Sequence, residues 1–372
     1  MFSFLHGAHG AHGAHGAHGA HGAHGAHGAH GAHGAYGAGG EWADMGLPGL
    51  QISTQAIVHA AGIDPVAANG VSALPANDAS NMSRWAPDIR ALLLESVFTS
   101  KLQFSVADAG KQAKLSWGGT AIWQVYRPTD ATVAAQAGLV RNYIDQRPDR
   151  VDEIISQLMP FGTFFGIILG LSAARNRFTY ELLRDVQNLA GLATMMPKHV
   201  LACRRPDEID ARILPLIPTP GHGSYPSAHA SQAFAMATVL AALVRSAPAH
   251  YADAEKRVDL LYRQAHRIAV NRTVAGVHFP MDSQVGAVLG LQIGRVLVGL
   301  MTGKTALKPV QSYDPNEVLN DHPNKDFLFN ASVKPMLDAA DAPTKATPAD
   351  PLFGWLWAQA RAEFAGPVQP GV

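Results

Sequence analysis

Between Asp253 and Arg272, apolar or aromatic residues fall at 258, 261, 262, 265, 268 and 269, the spacing of one buried helical face, and the next step of that stripe is Arg272 itself. An arginine on an inward face must meet an anion or carry a serious desolvation cost. The chain therefore has to bring something negative, its own or a ligand's, to the inside of a helical assembly. Six residues further on comes His278, and then Pro280, which suits the first turn of a second apolar run from Val285 to Met301. That spacing lets Asp282 accept from the ring of His278. A carboxylate behind a histidine fixes the tautomer and raises the basicity of the far nitrogen.

Two more clusters precede this one: Lys198 with Arg205 and Pro206, and Pro226-Ser227-Ala228-His229. Ser227 follows a loop rich in proline and glycine and precedes a run of helix formers, which makes it an N-cap. The backbone N–H groups of Ala228 and His229 are then donors at the positive end of a helix. Arginine binds oxyanions through paired, charge-assisted hydrogen bonds, and lysine acts as a compact point charge. At about 4 Å and an effective dielectric near 20, each cation attracts a unit anion by about 4 kcal/mol before desolvation. Three cations are excessive for a neutral ligand, whereas a tetrahedral oxyanion uses them all.

In order and spacing, Lys198 and Arg205-Pro206, Pro226-Ser227-Ala228-His229, and Arg272, His278 and Asp282 resemble the three-part signature of the type 2 phosphatidic acid phosphatase superfamily. Bacterial non-specific acid phosphatases and vanadium-dependent haloperoxidases share it. The resemblance covers residues 198 to 282 and nothing in the first third of the chain. It implies that His278 attacks phosphorus or binds vanadate, that His229 acts as acid and base, and that Lys198, Arg205, Arg272 and the Ser227 and Ala228 amides cradle the equatorial oxygens. Asp282 would then support His278. Two positions depart from the usual pattern: Ala228 replaces a glycine, and Asn271 a serine that makes a supporting hydrogen bond. His222 lies where some vanadium bromoperoxidases carry a second histidine that tunes vanadate; the plain alternative is a solvated loop histidine.

Two enzyme readings share these residues. A phosphatase cleaving small phosphoric monoesters would form a phosphohistidine on His278, protonate the leaving alcohol from His229, and need no cofactor or metal. A haloperoxidase would hold vanadate on His278 and oxidise halide with hydrogen peroxide. The run Gly223-Ser224-Tyr225-Pro226-Ser227 and the compact chain favour the phosphatase, and Gly221-His222-Gly223 favours the haloperoxidase. A third reading, a non-catalytic oxyanion-binding protein, has no use for both His229 and His278.

The expected fold is all-α, a helical bundle with its polar site between inner helices. Helical periodicity runs over 85–102, 131–146, 151–173, 179–196, 227–245, 252–272, 281–301 and 352–364, and Ala121–Tyr126 reads as a short strand. The domains expected are a low-complexity tail at 1–40, a mixed helical and irregular region at 41–128, the phosphatase-like or haloperoxidase-like core at 129–302, and an irregular cover with a last helix at 303–372. Residues His6–Ala35 are ten His-Gly-Ala triplets, read as a disordered tail. Transition-metal binding by those histidines is the functional reading of the tract.

A formal net charge of zero gives no electrostatic footprint for nucleic acid. Cys203, the single cysteine, excludes an intrachain disulfide and a cysteine zinc site and reads as packing. Met159–Ala173 is too short and too interrupted to span a membrane, and Arg295 interrupts Val285–Met301, so no span is expected and the chain is placed in the soluble branch. With no secretory pattern at the start, the default location is cytoplasmic. His199 and His266 read as solvated helix-surface residues. Asp207, Glu208 and Asp210 read as first-turn acids of a short helix.

Overall fold

Proline marks where several helices of this chain begin. Pro87, Pro206, Pro280 and Pro351 each stand at the first helical position, where the missing N–H is not needed and the fixed φ already suits the helix. The computed structural model describes residues 55, 57, 73–158, 160–305, 307, 311–317, 326–338 and 345–364. The 1–40 tail, with its His-Gly-Ala tract, lies outside them.

The chain divides into two compact units, residues 1–96 and 97–372. In the described part of the first, a 3-10 helix over Ala79–Arg84 is capped by Asp78, which accepts from the Ser80 amide at 2.8 Å. Arg90 donates to the carbonyls of Met82 and Trp85. Helix α1 (Pro87–Lys101) runs across the division.

The second unit opens with an antiparallel meander, β1 (Leu102–Ala107), β2 (Gln112–Trp117) and β3 (Thr120–Tyr126). Gly118 and Gly119, at φ 53° and 81°, make the two-residue turn between β2 and β3, a conformation that favours glycine at both places. The expected strand at 121–126 is β3; β1 and β2 replace the irregular chain expected before it.

The helices follow: α2 (Asp130–Asn142), α3 (Arg147–Ser156), α4 (Gly162–Leu169), α5 (Arg177–Leu201), α6 (Pro206–Ile209), α7 (Ala228–Arg245), α8 (Ala254–Val274) and α9 (Pro280–Thr302). The single helix expected over 151–173 is two, α3 and α4, because Pro160 has no N–H to donate to a helical ladder and its ring would clash with the carbonyl four residues back. Asp210 also differs from expectation: it follows α6, accepts from the Arg212 amide and pairs with Arg212 and Arg141.

Beyond α9 come β4 (Lys304–Thr305), β5 (Gln311–Tyr313), α10 (Lys334–Asp338), β6 (Lys345–Ala346) and α11 (Pro351–Ala362). Strand β5 joins β3 in parallel, giving the sheet order β1-β2-β3-β5, and β4 pairs with β6. Glu363, after α11, accepts from the Phe178 and Thr179 amides at 2.8 and 3.0 Å and so caps the start of α5. His266, expected in solvent, is half-buried on α8, hydrogen-bonded to the Phe327 carbonyl at 2.9 Å with its ring against Phe327 and Phe329.

Helices α7, α8 and α9 form the centre, and α7 makes its largest contact with α9. Gly286, Gly290 and Gly294 set that approach. A Cβ at 286 would stand 2.5 Å from the Ser227 carbonyl oxygen, one at 294 would stand 2.6 Å from Thr238 Cβ, and one at 290 would strike the Ser231 carbonyl. Among the described residues α9 is the one helix long and apolar enough to cross a membrane, and 83% of that stretch is buried inside the protein.

Gly290→Ala is expected to destabilise the fold by about 1–3 kcal/mol through overpacking, although alanine is the better helix former by about 1 kcal/mol. Gly286→Ala is expected to destabilise the fold similarly, because its clash falls on the Ser227 carbonyl. Denaturant melts of the two variants check this; a gain in stability at either site would mean that the helices are not in contact there.

Candidate active site

Lys198 occupies the last turn of α5 with 2% exposure, and its Nζ donates to the carbonyls of Gly223 and Ser224 at 2.9 and 3.0 Å. Position 223 must be glycine, since a Cβ there would stand 2.8 Å from the Lys198 carbonyl oxygen. Burial, and then the neighbouring Arg205, push the Lys198 pKa down. Arg205, also 2% exposed, caps α6 and spreads its guanidinium across the same loop. Its Nε donates to the His222 carbonyl at 3.0 Å and its Nη1 to the Val277 carbonyl at 2.7 Å.

The same Nη1 lies 3.0 Å from Nε2 of His278. A guanidinium only donates, so Nε2 of His278 must be the acceptor and carries a lone pair. The proton therefore sits on Nδ1, which donates to Asp282 Oδ2 at 2.9 Å. Burial, then Arg205 and Lys198, push the pKa of His278 well down, which agrees with a neutral ring. Asp282 is fully buried in the first turn of α9 and accepts from the Phe279 amide at 3.0 Å. Burial raises its pKa to about 7, against the pull of that amide and of Lys198 and Arg205. A carboxyl behind Nδ1 can answer positive charge that forms on the ring when Nε2 is used.

Ser227 is the N-cap of α7, its Oγ accepting from the Ala230 amide at 3.3 Å. Its own amide, expected among the cradle donors, donates instead to the Asp282 carbonyl at 2.9 Å. That bond ties the starts of α7 and α9 together. Donors for an anion at this end are thus the first-turn amides of Ala228 and His229, which have no carbonyl four residues back within the helix.

His229 is half-buried, and its ring stacks on Phe161 at 5.5 Å between centroids. Nε2 stands 3.1 Å from the Gln157 carbonyl, which only accepts, so the proton is on Nε2 and Nδ1 keeps the lone pair. Burial first, and then Arg272, push the His229 pKa down to about 3. Arg272 ends the inward stripe of α8 at 1% exposure, where its Nη2 donates to the Ile154 carbonyl and to Gln157 Oε1 at 3.1 and 3.0 Å. Its Nε and Nη1 are buried with no acceptor among the described residues. Two unpaired donors on a buried cation are suited to anionic oxygen.

Residues 165–306 match the family described as the PAP2 superfamily. The chain carries a PAP2 superfamily domain. The matched span contains every residue from Lys198 to Asp282 named above and leaves Gln157 and Phe161 outside. A solved structure described as the first transmembrane PAP2 type phosphatidylglycerolphosphate phosphatase, from Bacillus subtilis, is similar at 21% identity and a TM-score of 0.37, covering 46% of this chain and 86% of its own. No curated protein matches the chain.

Within the PAP2 domain, His222 is exposed, with Nδ1 3.1 Å from Arg205 Nη2. Cys203 is a buried free thiol whose pKa burial pushes up to about 12, in keeping with packing. His199 is exposed, as expected. The expected residues form two linked groups: Lys198, Arg205, His222, His278 and Asp282 on one side, and Arg272 and His229 on the other. His278 and His229 each lie in the field of the other group's charges. Gln157, Phe161 and the two hydrogen bonds of Asn271 were not expected; the Pro160 break that brings Gln157 inward was the available signal.

The depressed His229 pKa carries a stability consequence. Between about 3 and the ordinary value of 6.5 the unfolded chain binds a proton there that the folded chain does not, so stability falls as pH drops through that window. His229→Asn is expected to remove about one proton from the slope of stability against pH between 6.5 and 4. An unchanged slope in denaturant titrations would mean that His229 titrates normally.

Proposed function

We propose that this protein is a phosphatase of the PAP2 superfamily that hydrolyses phosphoric monoesters through a phosphohistidine on His278. PAP2 superfamily membership supports phosphatase-type activity in general. The observation that carries the finer reading is the line Arg205 Nη1, His278 and Asp282 Oδ2, at 3.0 and 2.9 Å, which leaves a lone pair on Nε2 of a neutral imidazole. Lys198, Arg205, Arg272 and the Ala228 and His229 amides hold the phosphoryl oxygens. As those oxygens draw the Arg205 guanidinium, Nε2 is released to attack phosphorus, and the bond to the leaving oxygen breaks.

His229 supplies the proton for that oxygen. It is neutral in the free protein, and the negative charge of the bound ester favours its protonated form. After the alcohol leaves, neutral His229 takes a proton from water, the hydroxide attacks the phosphohistidine, the P–N bond breaks, and phosphate and neutral His278 are regenerated. Through both steps Asp282 balances the charge on the imidazole. No step consumes a metal or a redox partner.

The contact between His222 and Arg205 favours a second reading, in which the same cradle holds vanadate. His278 Nε2 would ligate it, and the bound vanadate would supply the chemistry for halide oxidation by hydrogen peroxide. The three cations and the lone pair on Nε2 fit that group equally well.

A paired assay separates the readings. Hydrolysis of p-nitrophenyl phosphate, blocked by vanadate and lost in His278→Ala, is expected, with no bromide- or iodide-dependent halogenation of a dye. Halogenation that needs vanadate and His278 would favour the haloperoxidase, and neither activity in a folded protein would leave an oxyanion-binding protein. His229→Ala is expected to slow an alkyl phosphate by about 100-fold or more, and p-nitrophenyl phosphate much less, because nitrophenolate leaves without a proton. Equal losses on the two substrates would exclude His229 as the acid.

A further inference from the structure

Gln157 stands just past α3 with no exposure at all. Its side chain has a single workable orientation. Oε1 accepts from Arg272 Nη2 at 3.0 Å and from Asn271 Nδ2 at 3.1 Å, while Nε2 donates to Glu153 Oε1 at 3.0 Å. An arginine only donates and a carboxylate only accepts, so flipping the amide would break both contacts. Glu153 is itself held by Arg267 through bonds of 2.6 to 2.9 Å, and Asn271 by Arg150 at 2.9 Å. The main-chain carbonyl of the same residue accepts from His229 Nε2 at 3.1 Å.

We infer that Gln157 is the positioning residue of this site, setting the guanidinium of Arg272 through its side chain and the tautomer of His229 through its carbonyl. The inference rests on the oxyanion reading of the site. With Nη2 occupied by Gln157 and Ile154, Arg272 has only Nε and Nη1 left for a ligand, and the guanidinium cannot turn without giving up both anchors. With Nε2–H of His229 fixed, Nδ1 is the nitrogen that takes and returns the proton. The control begins outside the span matched to the PAP2 superfamily, at the break forced by Pro160, and ends on two of its charged groups. Asn271, where the resemblance suggests serine, takes part by bonding Gln157.

Gln157→Met keeps length and volume and removes the amide. Orthovanadate titrated calorimetrically into the full chain is expected to bind this variant about tenfold more weakly than wild type, the usual size of a lost hydrogen bond to a charged group. In an Arg272→Ala background the same substitution is expected to change affinity by about twofold or less, since its effect passes through Arg272. A purely structural role would give the same factor in both backgrounds, and that result overturns the inference, as does wild-type affinity in a folded Gln157→Met. Should Gln157→Met not fold, Glu153→Gln tests the same point from the surface side: it frees the amide to flip and is expected to weaken vanadate binding about threefold in wild type only. Unchanged affinity there overturns the inference equally. Wild-type protein that binds no vanadate overturns the oxyanion reading itself, and the inference with it.

Discussion

Three buried cations organise this protein. Lys198, Arg205 and Arg272 keep 2%, 2% and 1% of their surface in water, and moving such a group inside costs several kcal/mol unless fixed acceptors replace the water. The acceptors are mostly main-chain carbonyls: Gly223 and Ser224 for Lys198 and His222 and Val277 for Arg205, all in irregular segments, and Ile154, in the last turn of α3, for Arg272, which also has Gln157 Oε1. Each carbonyl is free because a helix has ended or not yet begun. The helix breaks at 157–161, 202–205, 221–227 and 275–279 are thus where the fold answers its buried charge, and His229 and His278 stand at or beside two of them. The answer is incomplete at Arg272, where Nε and Nη1 have no acceptor among the described residues.

Close helix contact turns those breaks into one site. The glycines of α9 let its backbone approach α7 until the Ser227 amide reaches the Asp282 carbonyl at 2.9 Å. That bond holds the start of the helix bearing His229 against the start of the helix bearing Asp282. Packing and chemistry are coupled here: a methyl group added at 286 acts on the N-cap of α7 and, through it, on the donors of Ala228 and His229.

Much of this was legible in residue order, for reasons that can be named. The stripe at 258, 261, 262, 265, 268 and 269 placed Arg272 inside, and the cap at Ser227 and the spacing from His278 to Asp282 were local, so they survived folding unchanged. What was hidden depended on partners distant in sequence. The Ser227 amide read as a free donor because nothing near it in the chain announces Asp282. Gln157 read as the interior of one long helix, and its contacts with His229, Asn271 and Arg272 lie 72 to 115 residues away. The meander was missed although Gly118-Gly119 between two β-prone runs is a hairpin signal, because β1 and β2 carry lysine, serine and glutamine that masked their alternation.

The proposed nucleophile is a neutral His278 whose Nε2 lone pair lies against Arg205 and whose Nδ1 is backed by Asp282. Rapid quenching of the full chain during turnover of a phosphomonoester, followed by phosphorus NMR and peptide mapping, addresses it directly. An acid-labile, alkali-stable phosphoramidate on Nε2 of His278, absent from His278→Ala, is the result predicted. Steady hydrolysis by wild-type protein with no such adduct, or with the phosphoryl group on any other residue, would contradict it.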